Sequence, residues 1–254
     1  MVVVDTHAHL QMSHFKSDRE EIIERFNENG ILFIINVGTN ITDSRETVEL
    51  SKKYEKVFAA IGVHPHDSKD VEKNYIEILE KLSKNEKVVA IGEIGLDYYR
   101  NFSPQEVQQK VFVEQLLLAK ELKLPIVVHI RDAYEEAYNI LESFGPFEKG
   151  GVIHSFSANS EWALKFVKLG FYLGISGPIT YKRNEQLREV VKLVGEQNIL
   201  SETDCPYLTP HPYRGKRNEP AYVGYVVKKI NDIIGYDVSE TLVKNARSLF
   251  GVNL

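Results

Sequence analysis

Short apolar, β-rich runs alternate with amphipathic charged segments along the whole of this 254-residue chain. Eight runs predict strands, at 2–7, 31–38, 57–64, 88–95, 125–130, 151–156, 171–176 and 199–204. Several are nearly continuous in Val, Ile and Leu, as is typical of parallel strands buried on both faces. Eight strands alternating with helices in about 250 residues predict an α/β fold, a (β/α)8 TIM barrel forming a single domain over 1–254. A doubly wound open sheet is the alternative.

Residues typical of helix starts and ends lie between these runs. The predicted starts are capping boxes at Ser17-Asp18-Arg19-Glu20, for a helix ending near Gly30, and at Ser103-Pro104-Gln105-Glu106, together with Asn159 for a helix ending at Gly170. Pro104 is expected at the first helical position, where its missing N–H costs nothing. Residues 220–235 and 238–249 predict two closing helices.

Composition excludes several function classes. The net charge of −5 gives no general field that would attract nucleic acid, so polyanion binding needs local basic groups or bound cations. The single cysteine, Cys205, rules out an intramolecular disulfide and fits a reducing compartment. The chain begins without a secretory pattern and contains no apolar run of about 20 residues. We therefore expect a cytoplasmic enzyme without membrane contact, and we infer no obligate protein partner.

The first strand run ends in two histidines, in "VVVDTHAHL". On a strand, residues i and i+2 point to the same side, so His7 and His9 face together and can hold one ion. Taken alone, the pair is almost as well explained as a hydrogen-bonded couple at the start of a loop.

Four further polar residues end other strand runs. Glu93, His129, His154 and Asp204 all lie at predicted C-terminal strand ends, the face on which barrel enzymes build their active sites. Individually, the carboxylates could pair with a base or cap a turn, and the histidines could be hydrogen-bonded core residues. Six such residues at five strand ends of one barrel favour a metal centre.

Six ligands exceed the roughly three protein ligands of one catalytic zinc-type ion, which predicts two ions about 3.5–4 Å apart. We place His7, His9, Glu93 and Asp204 around one ion, with Glu93 bridging to a second ion held by His129 and His154. Such a pair activates water for hydrolysis, and Asp204 is placed to accept its proton. Imidazole ligands suit zinc, manganese or iron better than magnesium, so the identity of the ions stays open.

Other catalytic schemes find little support. The chain has no G-x-S-x-G elbow, Walker A loop or G-x-G-x-x-G fingerprint. Cys205 could act as a thiol nucleophile beside His211, but a small residue packed behind Asp204 is the better interpretation.

The segments "DTHAHL", "GVHPH", "IGEIGLDYYR", "PIVVHIRDAYEEA", "GVIHSFSANS", "SETDCPYLTP" and "RGKRNEPAYV" resemble the TatD family of metal-dependent deoxyribonucleases, within the amidohydrolase-like barrel superfamily. The resemblance runs from residue 4 to beyond 220. It implies metal ligands at His7, His9, Glu93, His129, His154 and Asp204, and hydrolysis of DNA phosphodiesters supported by magnesium or manganese. Gln11, where the family usually has Asp or Asn, and Ala158, where Gly is expected, depart from it. Glu93 in place of a carboxylated lysine argues against dihydroorotase-like and urease-like branches.

Aromatic and basic residues follow three of the strand runs, at 97–101, 180–184 and 210–220. Stacking with phosphate neutralisation is how single strands and chain ends are held without sequence preference. His64, Tyr99, Arg131 and Arg214 are the candidate substrate contacts, and ordinary solvated loop charge is the alternative. The leading hypothesis is an exonucleolytic deoxyribonuclease acting on single-stranded DNA or chain ends. Alternatives are an ester hydrolase on the same ions (a D-aminoacyl-tRNA deacylase, lactonase or phosphotriesterase) and a non-catalytic metal-binding barrel.

Overall fold

Eight parallel strands are hydrogen-bonded in chain order into one sheet, in a computed structural model that describes all residues 1–254. The strands are β1 (Val3–Ala8), β2 (Ile31–Val37), β3 (Val57–Ile61), β4 (Val88–Asp97), β5 (Ile126–Arg131), β6 (Gly151–Ile153), β7 (Phe171–Ile175) and β8 (Ile199–Ser201). The helices are α1 (Arg19–Glu24), α2 (Ile41–Lys53), α3 (Tyr75–Ser83), α4 (Gln105–Leu122), α5 (Tyr134–Phe144), α6 (Ser160–Lys168), α7 (Glu185–Val194), α8 (Val223–Ile234) and α9 (Ser239–Phe250). The (β/α)8 barrel predicted from the sequence is confirmed, and the open-sheet alternative is wrong.

The sheet closes on itself between β1 and β8, a junction we call the seam. Ala8 and Cys205 form a single parallel bridge there. The Thr6 hydroxyl donates to the Ser201 carbonyl at 3.1 Å, and the Ser201 hydroxyl donates to the Val4 carbonyl at 2.9 Å. Closure of the barrel therefore relies on side-chain hydroxyl groups as well as on the backbone.

The strands are buried on both sides, as their continuous apolar runs predict. Every residue of β1 and of β4 is buried. Along β2, Phe33 and Ile35 pack in one apolar cluster with Phe250 of α9, while Ile31 and Ile34 belong to the larger cluster that contains residues of the other helices. No helix is both long and apolar enough to span a bilayer.

Two predicted helix starts differ in detail. Helix α1 begins at Arg19, one residue later than a cap at Ser17 predicts, and ends at Glu24 rather than near Gly30. The residue before it, Asp18, makes no side-chain capping hydrogen bond. The Asp18 carboxylate instead accepts two hydrogen bonds from Arg217, at 2.6 and 2.9 Å. Asp18 therefore connects the β1–α1 loop to the β8–α8 loop.

The second capping box is also used differently. Helix α4 begins at Gln105, so Pro104 precedes the first helical residue and Ser103 caps nothing. The Ser103 hydroxyl donates to the His66 carbonyl at 2.8 Å and accepts from the Lys69 amide at 3.0 Å. It fastens the β3–α3 loop beneath α4. The start predicted at Asn159 is confirmed, and so are the two closing helices, although Pro220–Tyr222 forms a 3₁₀ turn and α8 begins three residues later than predicted.

Candidate metal centre

The six predicted ligands converge at the C-terminal end of the barrel, around the buried carboxylate of Glu93. One of its oxygens lies 3.4 Å from His7 Nε2. The other lies 2.8 Å from His129 Nδ1 and 3.8 Å from His154 Nε2. Glu93 thus stands between side chains from β1 and side chains from β5 and the end of β6, the position required of a bridging carboxylate.

Asp204 forms the second acidic wall of the same centre. Its Oδ1 lies 3.3 Å from His9 Nε2 and 3.9 Å from both His7 Nε2 and His154 Nε2. The facing Nε2 atoms of His7 and His9 are 3.1 Å apart. His7, His9 and Asp204 can supply ligand atoms that lie within 4.8 Å of one another, a spacing that one ion can bridge.

The backbone turns sharply where β6 and β8 end, three residues before the predicted ends. Ser155 and Asp204 both adopt left-handed φ angles, of 43° and 58°. Such conformations are uncommon for residues other than glycine and are typical of functional sites. His154 directly follows β6 and Asp204 lies three residues after β8, and at these turns both side chains face the centre.

Histidines hold both carboxylates of the centre in their ionised form. Burial alone would raise the pKa of Glu93, but the imidazoles of His64, His154 and His7 keep it well below its usual range. Burial likewise opposes ionisation of Asp204, yet His154 and His9 lower its pKa. Both carboxylates are therefore ionised at neutral pH.

The pKa values of two imidazoles in the centre shift in opposite directions. Burial, together with the neighbouring His154, lowers the pKa of His7. Burial also acts against the charged form of His154, but the carboxylates of Glu202, Glu93 and Asp204 raise its pKa to about 10. Divergent pKa values among touching groups are characteristic of functional sites.

His64 lies deeper than a substrate contact on the rim would require. Its Nε2 is 3.6 Å from Glu93 Oε1, its ring packs edge-on against His129 at 4.4 Å, and the residue is only 8% exposed. His64, Glu93 and His129 form a second group whose ligand atoms lie within 4.8 Å of one another. The structure places His64 among the candidate ligands.

The sequence analysis missed two acidic residues beside the predicted ligands. Asp97 Oδ2 lies 2.9 Å from His66 Nε2 and 3.1 Å from His129 Nε2. Glu202 Oε1 lies 3.0 Å from His154 Nδ1. Both belong to runs already identified as strand ends, "GEIGLD" and "LSETD". An acidic residue in a buried strand run was the available signal.

His9 and the unusual Gln11 share an acceptor. His9 Nδ1 lies 2.7 Å from the Val37 carbonyl, to which the Gln11 amide also donates at 2.9 Å. The Gln11 carbonyl oxygen accepts from the Asn36 amide at 2.7 Å. Gln11 thus completes a buried network behind His9 without touching the candidate ligand atoms.

Two pairs of guanidinium and aromatic groups lie in the loops at the barrel mouth. The Arg131 guanidinium is 3.9 Å from the Tyr99 ring centroid, and Tyr99 is 58% exposed. The Arg214 guanidinium is 4.3 Å from the Tyr181 ring. Arg217 lies in the same 210–220 segment as Arg214, but its guanidinium is paired with the Asp18 carboxylate. Three of the predicted rim residues therefore present cationic or aromatic surface in stacked pairs.

Cys205 is fully buried. Burial and the nearby Asp5 raise the pKa of its thiol well above the usual value. His211, its proposed partner, is exposed. A thiolate nucleophile is excluded at this position, because the reactive form is disfavoured.

Comparison with known proteins gives concordant matches. A family model described as "TatD related DNase" matches residues 4–251. The chain is 42% identical over 255 residues to the uncharacterized metal-dependent hydrolase YabD of Bacillus subtilis, covering 99% of this chain and 100% of that protein. It is 36% identical over 257 residues to a protein of Escherichia fergusonii named 3'-5' ssDNA/RNA exonuclease TatD, covering 98% and 99% of the two chains. The crystal structure of YJJV, a TatD homologue from Escherichia coli K12, superposes with a TM-score of 0.93 at 30% identity, covering 99% of this chain and 98% of that one.

Proposed function

Since the chain belongs to the family of TatD-related DNases, metal-dependent hydrolases of ester bonds, we propose that it is an exonuclease acting on single-stranded DNA with two divalent ions. One observation carries the proposal. Glu93 lies between two groups of candidate ligands, in a chain related over nearly its whole length to a protein named as a 3'-5' ssDNA/RNA exonuclease. In this proposal the domain comprises residues 1–254, and the substrate is DNA at a single-stranded region or chain end.

The donor set fits a cation. His9 Nδ1 donates to the Val37 carbonyl, so in the neutral ring the lone pair on Nε2 faces Asp204 at 3.3 Å. An acceptor facing a carboxylate is repulsive unless a proton or a cation lies between them. We assign His7, His9, Glu93 and Asp204 to one ion, and Glu93, His129 and His154, with His64 adjacent, to the other.

Held by these residues, divalent ions would supply polarisation of a phosphodiester oxygen and would lower the pKa of water toward neutrality. Their identity is Mg, Mn or Zn, and the imidazole-rich set favours Mn or Zn over Mg.

Asp204 is the residue placed to accept a proton. Its side chain is 15% exposed, compared with 5% for Glu93, so water reaches it more readily. Because its pKa is lowered, its carboxylate is free to act as a base at neutral pH. Asp204 Oδ1 lies 3.3 Å from His9 Nε2 and therefore faces the centre. Glu93 is retained as the bridging ligand.

The rim supplies substrate binding in this proposal. Arg131 and Arg214 are exposed cations, each stacked on a tyrosine, Tyr99 or Tyr181. Aromatic faces stack bases and guanidinium groups neutralise phosphates, a combination that holds single strands without reading sequence. These local groups explain how a chain of net charge −5 can bind a polyanion.

The test is Asp204→Asn, assayed on an end-labelled single-stranded oligonucleotide with Mn²⁺, Mg²⁺ or Zn²⁺. We expect a loss in kcat of about 10²–10⁴-fold, the usual effect of removing a general base, with the circular dichroism spectrum unchanged. Asp232→Asn, on the exposed face of α8, is the matched control and should keep wild-type activity.

The same preparations are assayed on D-aminoacyl-tRNA, a lactone and a phosphotriester. Near-wild-type nuclease activity in Asp204→Asn would contradict the proton-acceptor role. Metal-dependent turnover of one of these esters, with no cleavage of DNA, would overturn the nuclease assignment.

A further inference from the structure

We propose that Glu202 is a positioning residue that fixes the ring orientation and tautomer of two candidate ligands, His154 and His7, by accepting hydrogen bonds from their far ring nitrogens. This inference rests on the metal ligation proposed above. Metal-ligating histidines almost always donate their second ring N–H to a carboxylate, a carbonyl or water, and this partner fixes which nitrogen faces the ion.

Of the four histidines predicted as ligands from the sequence, the other two already have such partners. His9 Nδ1 lies 2.7 Å from the Val37 carbonyl, and His129, whose Nδ1 faces Glu93, has its Nε2 3.1 Å from Asp97. Only the far nitrogens of His154 and His7 remain to be accounted for.

Glu202 is the acceptor available to both. It is fully buried, and its Oε1 lies 3.0 Å from His154 Nδ1. A ring nitrogen from His7, one from His154 and an oxygen from Glu202 all lie within 4.8 Å of one another. His7 Nδ1, His154 Nδ1 and Glu202 Oε2 are all buried and make no hydrogen bond within the protein, so the 3.0 Å approach of His154 Nδ1 to Glu202 Oε1 falls outside hydrogen-bond geometry in this structure. The two unpaired ring nitrogens and the unpaired carboxylate oxygen in this buried cluster are complementary, because a buried polar group without a hydrogen-bond partner is destabilising.

The surrounding backbone is shaped to hold this carboxylate. The Ser155 amide donates to Glu202 Oε1 at 2.6 Å, which ties the left-handed turn after His154 to β8. At Gly174 in β7, an added Cβ would lie 2.3 Å from Glu202 Oε2 and 2.7 Å from its carboxyl carbon. Glycine at this position leaves the space that the carboxylate occupies.

Hydrogen bonding to Glu202 would set the direction in which the Nε2 lone pairs of both histidines point. With Nδ1–H turned toward Glu202, the Nε2 lone pairs of His154 and His7 point at Glu93 and Asp204, where the ions are proposed to bind. A carboxylate partner also increases the basicity of the ligand nitrogen. Glu202 therefore acts on both metal positions through one side chain.

The experiment compares Glu202→Gln and Gly174→Ala with wild type. The first variant keeps one acceptor oxygen and replaces the other with an amide donor, while the second keeps the carboxylate and displaces it. Glu114→Gln, whose carboxylate accepts from the Tyr75 hydroxyl outside the barrel, is the matched control. The measurements are Zn²⁺ and Mn²⁺ affinity by titration calorimetry, and ¹⁵N–¹H correlation spectra of the histidine rings in the Zn²⁺-loaded protein.

We expect both variants to bind metal about 10–100-fold more weakly than wild type and to lose the single Nδ1–H tautomer of His154 and His7. Glu114→Gln should match wild type in both measurements. If Glu202→Gln does not fold, Gly174→Ala decides the matter by the same measurements.

Wild-type affinity and ring spectra in the variants that fold would overturn this inference while leaving the nuclease proposal intact. Failure of the wild-type protein to bind either ion would overturn both. A purely structural role for Glu202 predicts lower thermal stability with unchanged ring tautomers, and that result would also refute the inference.

Discussion

A substitution at Gly95 tests whether backbone packing holds His129, a proposed metal ligand, in position. Gly95 lies in β4 opposite His129 of β5, with a φ angle of 142°. A Cβ at this position would lie 2.0 Å from the His129 carbonyl oxygen and 3.0 Å from its amide nitrogen. Both are backbone atoms of a buried strand, so no flexible side chain can move aside to relieve the overlap in Gly95→Ala.

The size of the effect follows from these distances. Ordinary van der Waals contact begins at 3.4 Å, so His129 would have to move by about 1.4 Å from the new methyl group. Such a displacement takes His129 Nδ1 out of hydrogen-bond reach of Glu93, which it meets at 2.8 Å. The strained backbone costs about 1–3 kcal/mol and the lost charged hydrogen bond about 1.5–3 kcal/mol. For a chain of this size these penalties lower the melting temperature by at least about 5 °C.

The assay combines thermal unfolding of the metal-free protein with metal stoichiometry by mass spectrometry under native conditions. Gly235→Ala is the control, because Gly235 has a φ of 98° at the end of α8 and an added Cβ meets nothing within 4 Å. We expect Gly235→Ala to be modestly destabilised and to retain both ions. Gly95→Ala should lose the ion assigned to Glu93 and His129 while keeping the other. Retention of two ions with wild-type affinity in Gly95→Ala would refute the reasoning.

Two further predictions concern substrate and metal. Arg131→Ala removes an exposed cation stacked on Tyr99, so KM for a single-stranded oligonucleotide should rise several-fold with kcat nearly unchanged, and the slope of log kcat/KM against log salt should fall by about 0.7. Lys168→Ala, at the far end of α6, should change neither quantity, and equal slopes for Arg131→Ala and wild type would contradict a phosphate contact. Adding Zn²⁺ at about 100 times its Kd to chelator-treated protein should stabilise it by about 2.7 kcal/mol, a rise of roughly 5–10 °C in melting temperature. Melting curves that coincide with and without metal would argue against ligation in the folded state.

The sequence was enough to predict the barrel because burial on both faces leaves a direct signature in each strand. The run of apolar residues in β2 identifies a central parallel strand without further information. It was also enough to select the residues that meet around Glu93, because carboxyl ends of parallel strands share one edge. What the sequence could not supply is the point at which β6 and β8 stop. Ser155 and Asp204 carry left-handed φ angles that their residue types do not require.

The partners behind the ligands were harder to foresee for a different reason. Asp97 and Glu202 lie in runs where the ligand candidates already explained a polar residue, so a second acidic side chain attracted no separate interpretation. His64 was expected among the substrate contacts, as the last residue of its predicted strand run. In the structure its Nδ1 accepts from the His66 amide at 3.1 Å, at the start of the 3₁₀ turn Pro65–Asp70, and its Nε2 lies 3.6 Å from Glu93. Loop direction of this kind depends on contacts with distant elements.

The seam gives the candidate metal centre a particular place in the order of folding. The Thr6–Ser201 hydrogen bond joins residues 195 positions apart, and the Asp204 amide similarly bonds the His7 carbonyl at 2.8 Å. Contacts so distant in sequence carry the largest entropic cost of loop closure. They become favourable only after the intervening elements have assembled. The half of the centre made by His7, His9 and Asp204 therefore forms when the first and last strands meet. Binding of an ion at this proposed site would therefore require the completed barrel, and would serve as a chemical reporter that folding has reached its end.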